Sequence, residues 1–513
     1  MRILSMNIRG FGGSTKLKSL RILLSTLAPD VVLLQETMTS SYPALYAFSK
    51  LCPGWEFCAL DSVGISGGLL SGWNPRVLRC KSFHTMAGIM LHVTLRGSPL
   101  LFSILNVYGP YAHRDTFWSA VASGGILSSS NLILAGDLNF TLGASEIWGT
   151  KAHLDPLGPF FSSLISDNHL VDIAHPSTGP TWRNGRVGIE GISKRLDRFL
   201  ISEQLIHDLP RHRSWIHRCD ISDHFPVLLE WGDTPGLCLY PFKFNHSWLS
   251  DDAFVHFIQH TWQNIPVDPS LDTMQVLYYR MRHIKEKVKV WIRERTKTMQ
   301  MTSMNLNEEI CSILLTTHSA ILSHAQQFRL NDLKAELKKI LDFEINSARL
   351  QSRIHWARSG DANTKFFHAI ATARKNQNAI WCLNDEAGNV VSDDIGIKAM
   401  GVRHFKDIFS DDGLTKLTAQ IEVIQLFPSY VTEDDCSAFT SPVTLDEIEG
   451  ALKTFKKDKA PGPDGWTVEF YLHFLDLLGP SLVQLVESSR LLGRVDPAIN
   501  STFIDLYQKW TTL

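Results

Sequence analysis

Two hydrophobic rhythms divide the chain. Over the first 230 residues short apolar runs recur, most of them bounded by Gly, Pro, Asn or Ser: RILSMNI at 2–8, VVLLQE at 31–36, WEFCAL at 55–60, GGLLSGW at 67–73, IMLHVTL at 89–95, LLFSILNVY at 100–108, NLILAGD at 131–137 and LDRFLIS at 196–202. Runs of this length and boundary chemistry predict β-strands. Between some of them the period lengthens. Leu17, Leu20, Leu23, Leu24 and Leu27 in KLKSLRILLSTLAP share one helical face. Many strands with interspersed helices predict an α/β domain of layered sheets.

After Trp231 the texture changes. From about 250 to 376 helical periodicity and charge dominate. Leu277, Met281, Ile284, Val288 and Ile292 keep helical spacing, surrounded by Arg280, Arg282, Lys285, Lys287, Lys289, Arg293, Arg295 and Lys297 and opposed by Glu286 and Glu294. A second helical stretch carries Leu333, Leu337, Ile340, Leu341 and Ala348. A basic face of this kind reads first as a solvated surface and second as a holder of phosphates. From about 441 a third style begins. Thr444 and Glu447 form a capping box ahead of Ile448, Leu452 and Phe455. The basic, Pro/Gly-rich loop KKDKAPGPDG follows and leads into another helical pattern. Its Lys456, Lys457 and Lys459 read equally as nucleic-acid contacts and as a solvated helix end.

Bulk properties narrow the class without naming a partner. The 513 residues suffice for two to four domains, and 50 basic against 52 acidic residues neither require nor exclude nucleic acid. The eight cysteines form no CxxC pair and no zinc-finger spacing, which suggests a reducing compartment. The apolar run of MRILSMNIRGFGG is too short for a secretory signal, and no stretch of about 18 apolar residues predicts a membrane span.

Polar residues stranded at the ends of apolar strands carry the candidate chemistry, because α/β sheets present their sites there. Asn7 follows RILSM, Glu36 follows VVLLQ, Tyr108 follows LLFSILNV, and Asp137 and Asn139 close NLILAG. Asp197 opens DRFLIS, and Ser222, Asp223 and His224 precede an apolar stretch in ISDHFPV. Each alone reads as a turn or strand-end residue. As a set they describe something narrower. Glu36 offers oxygen to a hard cation such as Mg2+. Asp137 and Asn139 can point into one cleft from a strand-end loop, and Asp197 is a candidate to fix the tautomer of His224. A cation and a histidine that neutralise phosphate charge, with a carboxylate that positions water, make a metal-assisted hydrolase.

The ordered set Asn7, QE at 35–36, NVYGP at 106–110, GDLN at 136–139, RLD at 195–197 and SDH at 222–224 resembles the endonuclease/exonuclease/phosphatase family, which includes exonuclease III and the abasic-site endonucleases. The resemblance implies a four-layered α/β sandwich with the site at one edge of two packed sheets. It implies Glu36 as the main metal ligand with Asn7 close to the ion, Asp137 aligning or deprotonating the attacking water, Asn139 holding the phosphate and Tyr108 contacting it. Asp197 would orient His224 on the scissile phosphate, with Asp223 nearby as an alternate metal ligand. Thr181 and Ser222 would lie on the phosphate side. Whether Asp137 or His224 is the base stays open. Two positions depart from the abasic-site enzymes: Arg9 stands where they often carry an acid, and Lys194 where they carry a tryptophan. Both suggest a member not specialised for abasic sites.

The rest of the chain selects a branch. WARSGDANTKFFHAIATARKNQN at 356–378 resembles the segment between endonuclease and polymerase in plant non-LTR (LINE-type) retrotransposons. FKKDKAPGPDGWTVEFY at 455–471 resembles the opening of their reverse transcriptase, and INSTFIDLYQKW at 499–510 a stretch that follows it. No YADD-like acidic pair precedes Leu513, so an inactive polymerase fragment is expected.

The expectation is therefore an α/β fold: a four-layered sandwich of two packed mixed sheets flanked by helices over 1–232, a mostly helical connector over 233–425, and an incomplete α+β polymerase fragment over 426–513. The expected activity is a DNA endonuclease that uses Mg2+, with Mn2+ as the alternative, and nicks one strand to leave a 3′-hydroxyl. DNA is the expected partner and the element's RNA a second one, with no membrane. The expected compartment is the nucleus, with the cytoplasm as alternative. Two rival readings are a phosphoesterase on small phosphate esters and a non-enzymatic relic that binds nucleic acid.

Overall fold

The computed structural model describes residues 1–63, 66–174, 179–232, 242–315, 323–352, 364–410, 417–426, 432, 440–457, 459, 461–497 and 499–501. Residues 356–363 of the WARSGDAN segment, 458 and 460 of the basic loop and 502–510 of INSTFIDLYQKW lie outside them. Two compact units form. One joins Met1–Leu237 with Ala348–Ala379, the other Cys238–Ser347 with Ile380–Leu513.

The first unit explains why so many of its apolar runs are continuous. Its strands are β1 (Arg2–Asn7), β2 (Val31–Gln35), β3 (Glu56–Val63), β4 (Ser66–Trp73), β5 (Leu78–Thr85), β6 (Gly88–Leu95), β7 (Leu101–Tyr108), β8 (Leu132–Asp137), β9 (Ile147–Trp148), β10 (Leu170–Asp172), β11 (Trp182–Arg183), β12 (Ser193–Lys194), β13 (Asp197–Ser202), β14 (His212–Ile216) and β15 (Val227–Trp231). One six-stranded sheet runs β14-β15-β1-β2-β4-β3 and the other β10-β13-β8-β7-β6-β5. Both are mixed: β1 with β2 and β7 with β8 pair in parallel, and their other ladders are antiparallel.

Successive residues of the central strands enter different cores. In β2, Val31 and Leu33 join the layer between the sheets, while Val32 and Leu34 meet helices α1 (Ser14–Leu27) and α2 (Ser41–Leu51). In β8, Ile133 and Ala135 face the inter-sheet layer, while Leu132 and Leu134 meet α3 (Arg114–Ser123) and α4 (Gly158–Asp167). With both faces buried, period-two alternation of polar residues disappears from these strands. Each such side chain stabilises the fold by roughly 1.5–3 kcal/mol relative to exposure. The predicted four-layered sandwich is what forms. The leucine face of α1 is buried as the spacing predicts, with Leu20, Leu23, Leu24 and Leu27 inside. Strand β5, an edge strand of which Leu78 alone is buried, carries no comparable signal. The unit also contains the short α5 (Glu203–Asp208).

The described part of the second unit is mostly helical. In chain order come α6 (Asp252–Gln263), α7 (Thr273–Leu315) and α8 (His324–Ser352), then α9 (Thr364–Gln377), which belongs to the first unit. A two-residue hairpin follows, β16 (Leu383–Asn384) with β17 (Val390–Val391). The chain continues through α10 (Asp394–Phe409), α11 (Leu417–Gln425), α12 (Leu445–Thr454), α13 (Val468–His473) and α14 (Leu475–Leu492). Thr444 and Glu447 cap α12 reciprocally, as the sequence predicts. One aromatic core unites Phe254 and Trp262 of α6 and Leu277, Met281, Ile284 and Val288 of α7 with Trp466, Phe470, Phe474 and Leu478. The core thus joins residues from both sides of position 425/426. The described residues between 440 and 501 hold helices and no strand. Around α7, Arg282, Lys287, Arg293 and Lys297 are exposed. Among the described residues no helix is long and apolar enough to cross a membrane.

Candidate active site

Strand ends from both sheets converge. In sheet register Asn7 lies beside Gln35, Tyr108 beside Asp137, and Asp137 beside Asp197. Gly136 makes the β8 end possible. It sits at φ +145°, and a Cβ there would lie 1.9 Å from the carbonyl oxygen of Val107. Glu36 and Asn139 adopt left-handed backbone, at φ +50° and +54°. Such conformations in non-glycine residues cost on the order of 1–3 kcal/mol and persist where surrounding structure holds them. Here Gly10 N–H donates to Glu36 O at 2.7 Å, and Asn139 N–H donates to Asp137 Oδ1 at 3.1 Å.

A continuous polar chain runs through the site. Asn7 Nδ2 donates to Glu36 Oε1 and to Asp137 Oδ2, both at 2.9 Å. The same Asp137 oxygen lies 3.6 Å from His224 Nε2, and His224 Nδ1 meets Asp197 Oδ2 at 2.9 Å. All five are buried: Asn7 and Asp137 at 0% exposure, Asp197 at 1%, His224 at 2% and Glu36 at 5%. Burial and then the Asp197 charge push the Asp137 carboxyl up to about 7, against His224 and Asn7. Burial opposes the His224 imidazolium, but Asp197, through charge and hydrogen bond, and then Asp137 and Asp223 raise it to about 9. The triad therefore keeps a proton at neutral pH, held chiefly on the imidazole.

The other expected residues surround this chain. The Tyr108 phenol is pushed far up by burial and by its hydrogen bond with Glu36, so it stays neutral. Asn139 Nδ2 donates to Gly109 O at 2.6 Å. Asp223 pairs with Arg9 and accepts from Trp182 Nε1 at 3.0 Å, so the unusual Arg9 meets a carboxylate at the site's border. Ser222 Oγ donates to Asp223 Oδ1 at 3.2 Å. Thr181 is 1% exposed, and its hydroxyl oxygen accepts from the N–H groups of Leu196 at 2.9 Å and Asp197 at 3.0 Å. In this structure Thr181 holds the start of β13.

Several supporting residues escaped the sequence reading. Arg195 and Arg198 flank Asp197 and share Asp172 and Glu146, with Arg195 Nη2 to Asp172 Oδ1 and Arg198 Nη1 to Asp172 Oδ2 both at 2.6 Å. Arg114 donates to Asn139 O at 2.8 Å and pairs with both oxygens of Asp155. Gln35 and Asn106 are hydrogen-bonded between the sheets. Gln35, Asn106 and Arg195 have one sequence signal, their place inside the QE, NVYGP and RLD motifs; the others lie outside every motif.

The donor set fits a hard divalent cation. Oxygens of Asp137 and Asp197 and a nitrogen of His224 lie within 4.8 Å of one another. Glu36 adds a third carboxylate to this chain, against one imidazole. Asp197 Oδ1 is buried without a hydrogen-bond partner. Both imidazole nitrogens face carboxylates, an arrangement that suits the ring to holding a proton. Glu36 is the least buried of the three carboxylates.

Residues 4–224 match the model of the Endonuclease/Exonuclease/phosphatase family. The chain is 26% identical over 466 residues to the Transposon TX1 uncharacterized 149 kDa protein of Xenopus laevis, a match that covers 87% of this chain and 34% of that protein. The chain thus spans about a third of its relative's length. Among solved structures, the AP endonuclease LMAP from Leishmania major aligns with TM-score 0.38 and 18% identity over 46% of this chain and 88% of its own. The endonuclease domain of TRAS1, a telomere-specific non-LTR retrotransposon, aligns with TM-score 0.35 and 17% identity over 45% of this chain and 97% of its own. The family match thus falls on the unit that holds the polar chain, and the match to the transposon protein extends well beyond it.

Proposed function

We propose that the first unit is a Mg2+-dependent DNA endonuclease that nicks one strand and leaves a 3′-hydroxyl, in a protein of non-LTR retroelement type. The observation that carries the reading is Asp137, a buried carboxylate held between Asn7 and a His224 that Asp197 backs. Asp137 is raised toward neutrality and so accepts a proton from water efficiently at physiological pH. His224, kept cationic by Asp197, stabilises negative charge that develops on a phosphate oxygen. Asn139 and Tyr108 orient the phosphate. Glu36, steadied by Asn7 and Tyr108, would hold the cation, which when bound neutralises phosphate charge as a Lewis acid. The match of residues 4–224 to the family and the similarity to a transposon protein support the assignment. DNA is the substrate, the element's RNA a second partner and the nucleus the compartment of action.

Supercoiled plasmid with Mg2+ is converted to open circles, and EDTA stops the conversion. The nicked product primes a polymerase directly, as a 3′-hydroxyl must. Asp137→Ala and His224→Ala abolish nicking; wild-type rates in either variant would overturn the assignment.

A further inference from the structure

Helix α9 lies outside the segment that matches the family, yet it is built into the first unit. It packs against α5, β10 and β14. Strand β10 is the outer edge of one six-stranded sheet and β14 the outer edge of the other. The helix therefore covers an edge of each sheet, where unpaired backbone would otherwise invite another chain.

The seat is specific. Phe366 and Ala369 are 4% exposed and join the inter-sheet core beside Val171, Ile173, Leu205 and Ile206, while Ile370 and Ala373 continue the same stripe one turn apart. At the far end Asn376 Nδ2 donates to Pro210 O at 2.6 Å and lies 3.2 Å from His212 Nδ1. Strand β10 ends at Asp172, which ties down Arg195 and Arg198 on either side of Asp197. Pressure of the helix on β10 is thus one strand away from the carboxylate behind His224.

We infer that residues 364–377 are an in-chain ligand of the first unit, seated across the edge strands of its two sheets, and that this seating sets how rigidly Asp197 is held. The docking half stands on packing alone; the effect on turnover rests on the endonuclease reading above. A retroelement protein built this way nicks at full rate only while its connector grips the nuclease.

The test uses the full chain with Phe366→Asp and Ala369→Asp together. Amide hydrogen exchange in 170–173, 204–209 and 212–216 rises at least about tenfold, while β6 and β7 keep their protection. Added synthetic peptide of sequence 364–377 restores the slow exchange. Nicking by the double variant falls about tenfold in kcat with KM unchanged, the size expected when a positioned group is loosened. Should the double variant unfold, Asn376→Ala raises exchange in the same three stretches. Unchanged exchange there in the variant that remains folded overturns the docking, and raised exchange with unchanged kcat overturns the coupling. A wild-type chain that never nicks would instead sink the endonuclease reading and leave the exchange result to decide the docking.

Discussion

Gln35 Nε2 donates to Asn106 Oδ1 at 2.7 Å, joining β2 of one sheet to β7 of the other through two side chains of 0% exposure. Asn106 in turn donates to Leu70 O and Ser71 Oγ, both at 3.1 Å. Each residue sits next to, or two before, a residue of the candidate site, so the link fixes Glu36 and Tyr108 relative to one another. Asn106→Leu removes the shortest hydrogen bond of the Gln35 amide, which keeps only the longer ones to Ser5 Oγ at 3.2 Å and Leu33 O at 3.3 Å, and takes away the donor to Leu70 O and Ser71 Oγ. It lowers stability by about 1–3 kcal/mol for each polar group left unpaired. A urea midpoint equal to that of the wild type would show that the link carries no weight.

Asp197→Asn keeps the shape of its side chain and removes the charge that holds His224 cationic. Nicking in a single-turnover assay falls by about 10²–10⁴-fold, the range for loss of a positioned proton-handling group. Circular dichroism stays at the wild-type value. A loss under threefold would separate Asp197 from the chemistry.

Tyr108→Phe removes the hydroxyl beside Glu36 without touching the carboxylate. The Mg2+ concentration for half-maximal nicking rises about 10–100-fold, as for other groups that steady a metal ligand, and saturating Mg2+ recovers part of the rate. A rate deficit that no Mg2+ concentration relieves would assign Tyr108 to the phosphate alone.

Acid sensitivity follows from Asp172. Burial alone would raise its carboxyl, but the charges of Arg195 and Arg198 hold it down at about 2. In the unfolded chain it protonates near 3.8. The unfolded state therefore binds the proton first, so this contribution is complete above that value and is lost as pH falls toward 2. The loss amounts to about 2 kcal/mol. Asp172→Asn removes this acid-dependent part and lowers neutral-pH stability by about 3–5 kcal/mol, because two buried guanidinium groups then share Glu146 alone. Urea midpoints of both proteins at pH 7 and pH 3 check the sign: the gap between them narrows on acidification.

What could be read from sequence was whatever short windows carry. The doubly buried strands β1, β2, β8 and β13 announce themselves as unbroken apolar runs, and the site's residues stand at their ends. The quartet of Glu146, Asp172, Arg195 and Arg198 was illegible because a charge reads as solvated until a partner some 50 residues away is known. From sequence, helix α9 reads as a motif inside the connector. Its own pattern shows one apolar stripe, but which surface that stripe meets depends on strands over 150 residues earlier. Strand β5 is missed for the opposite reason, since a solvated edge needs no hydrophobic alternation.

The aromatic core of the second unit has a temporal consequence. Phe254, Trp262 and Ile284 emerge early, whereas Trp466, Phe470 and Leu478, which join them in one core, are made roughly 180–220 residues later, on the order of 10–40 s at ordinary ribosomal speed. For that interval the nascent polypeptide presents a bare, ring-lined face, a substrate for chaperones before it is a fold.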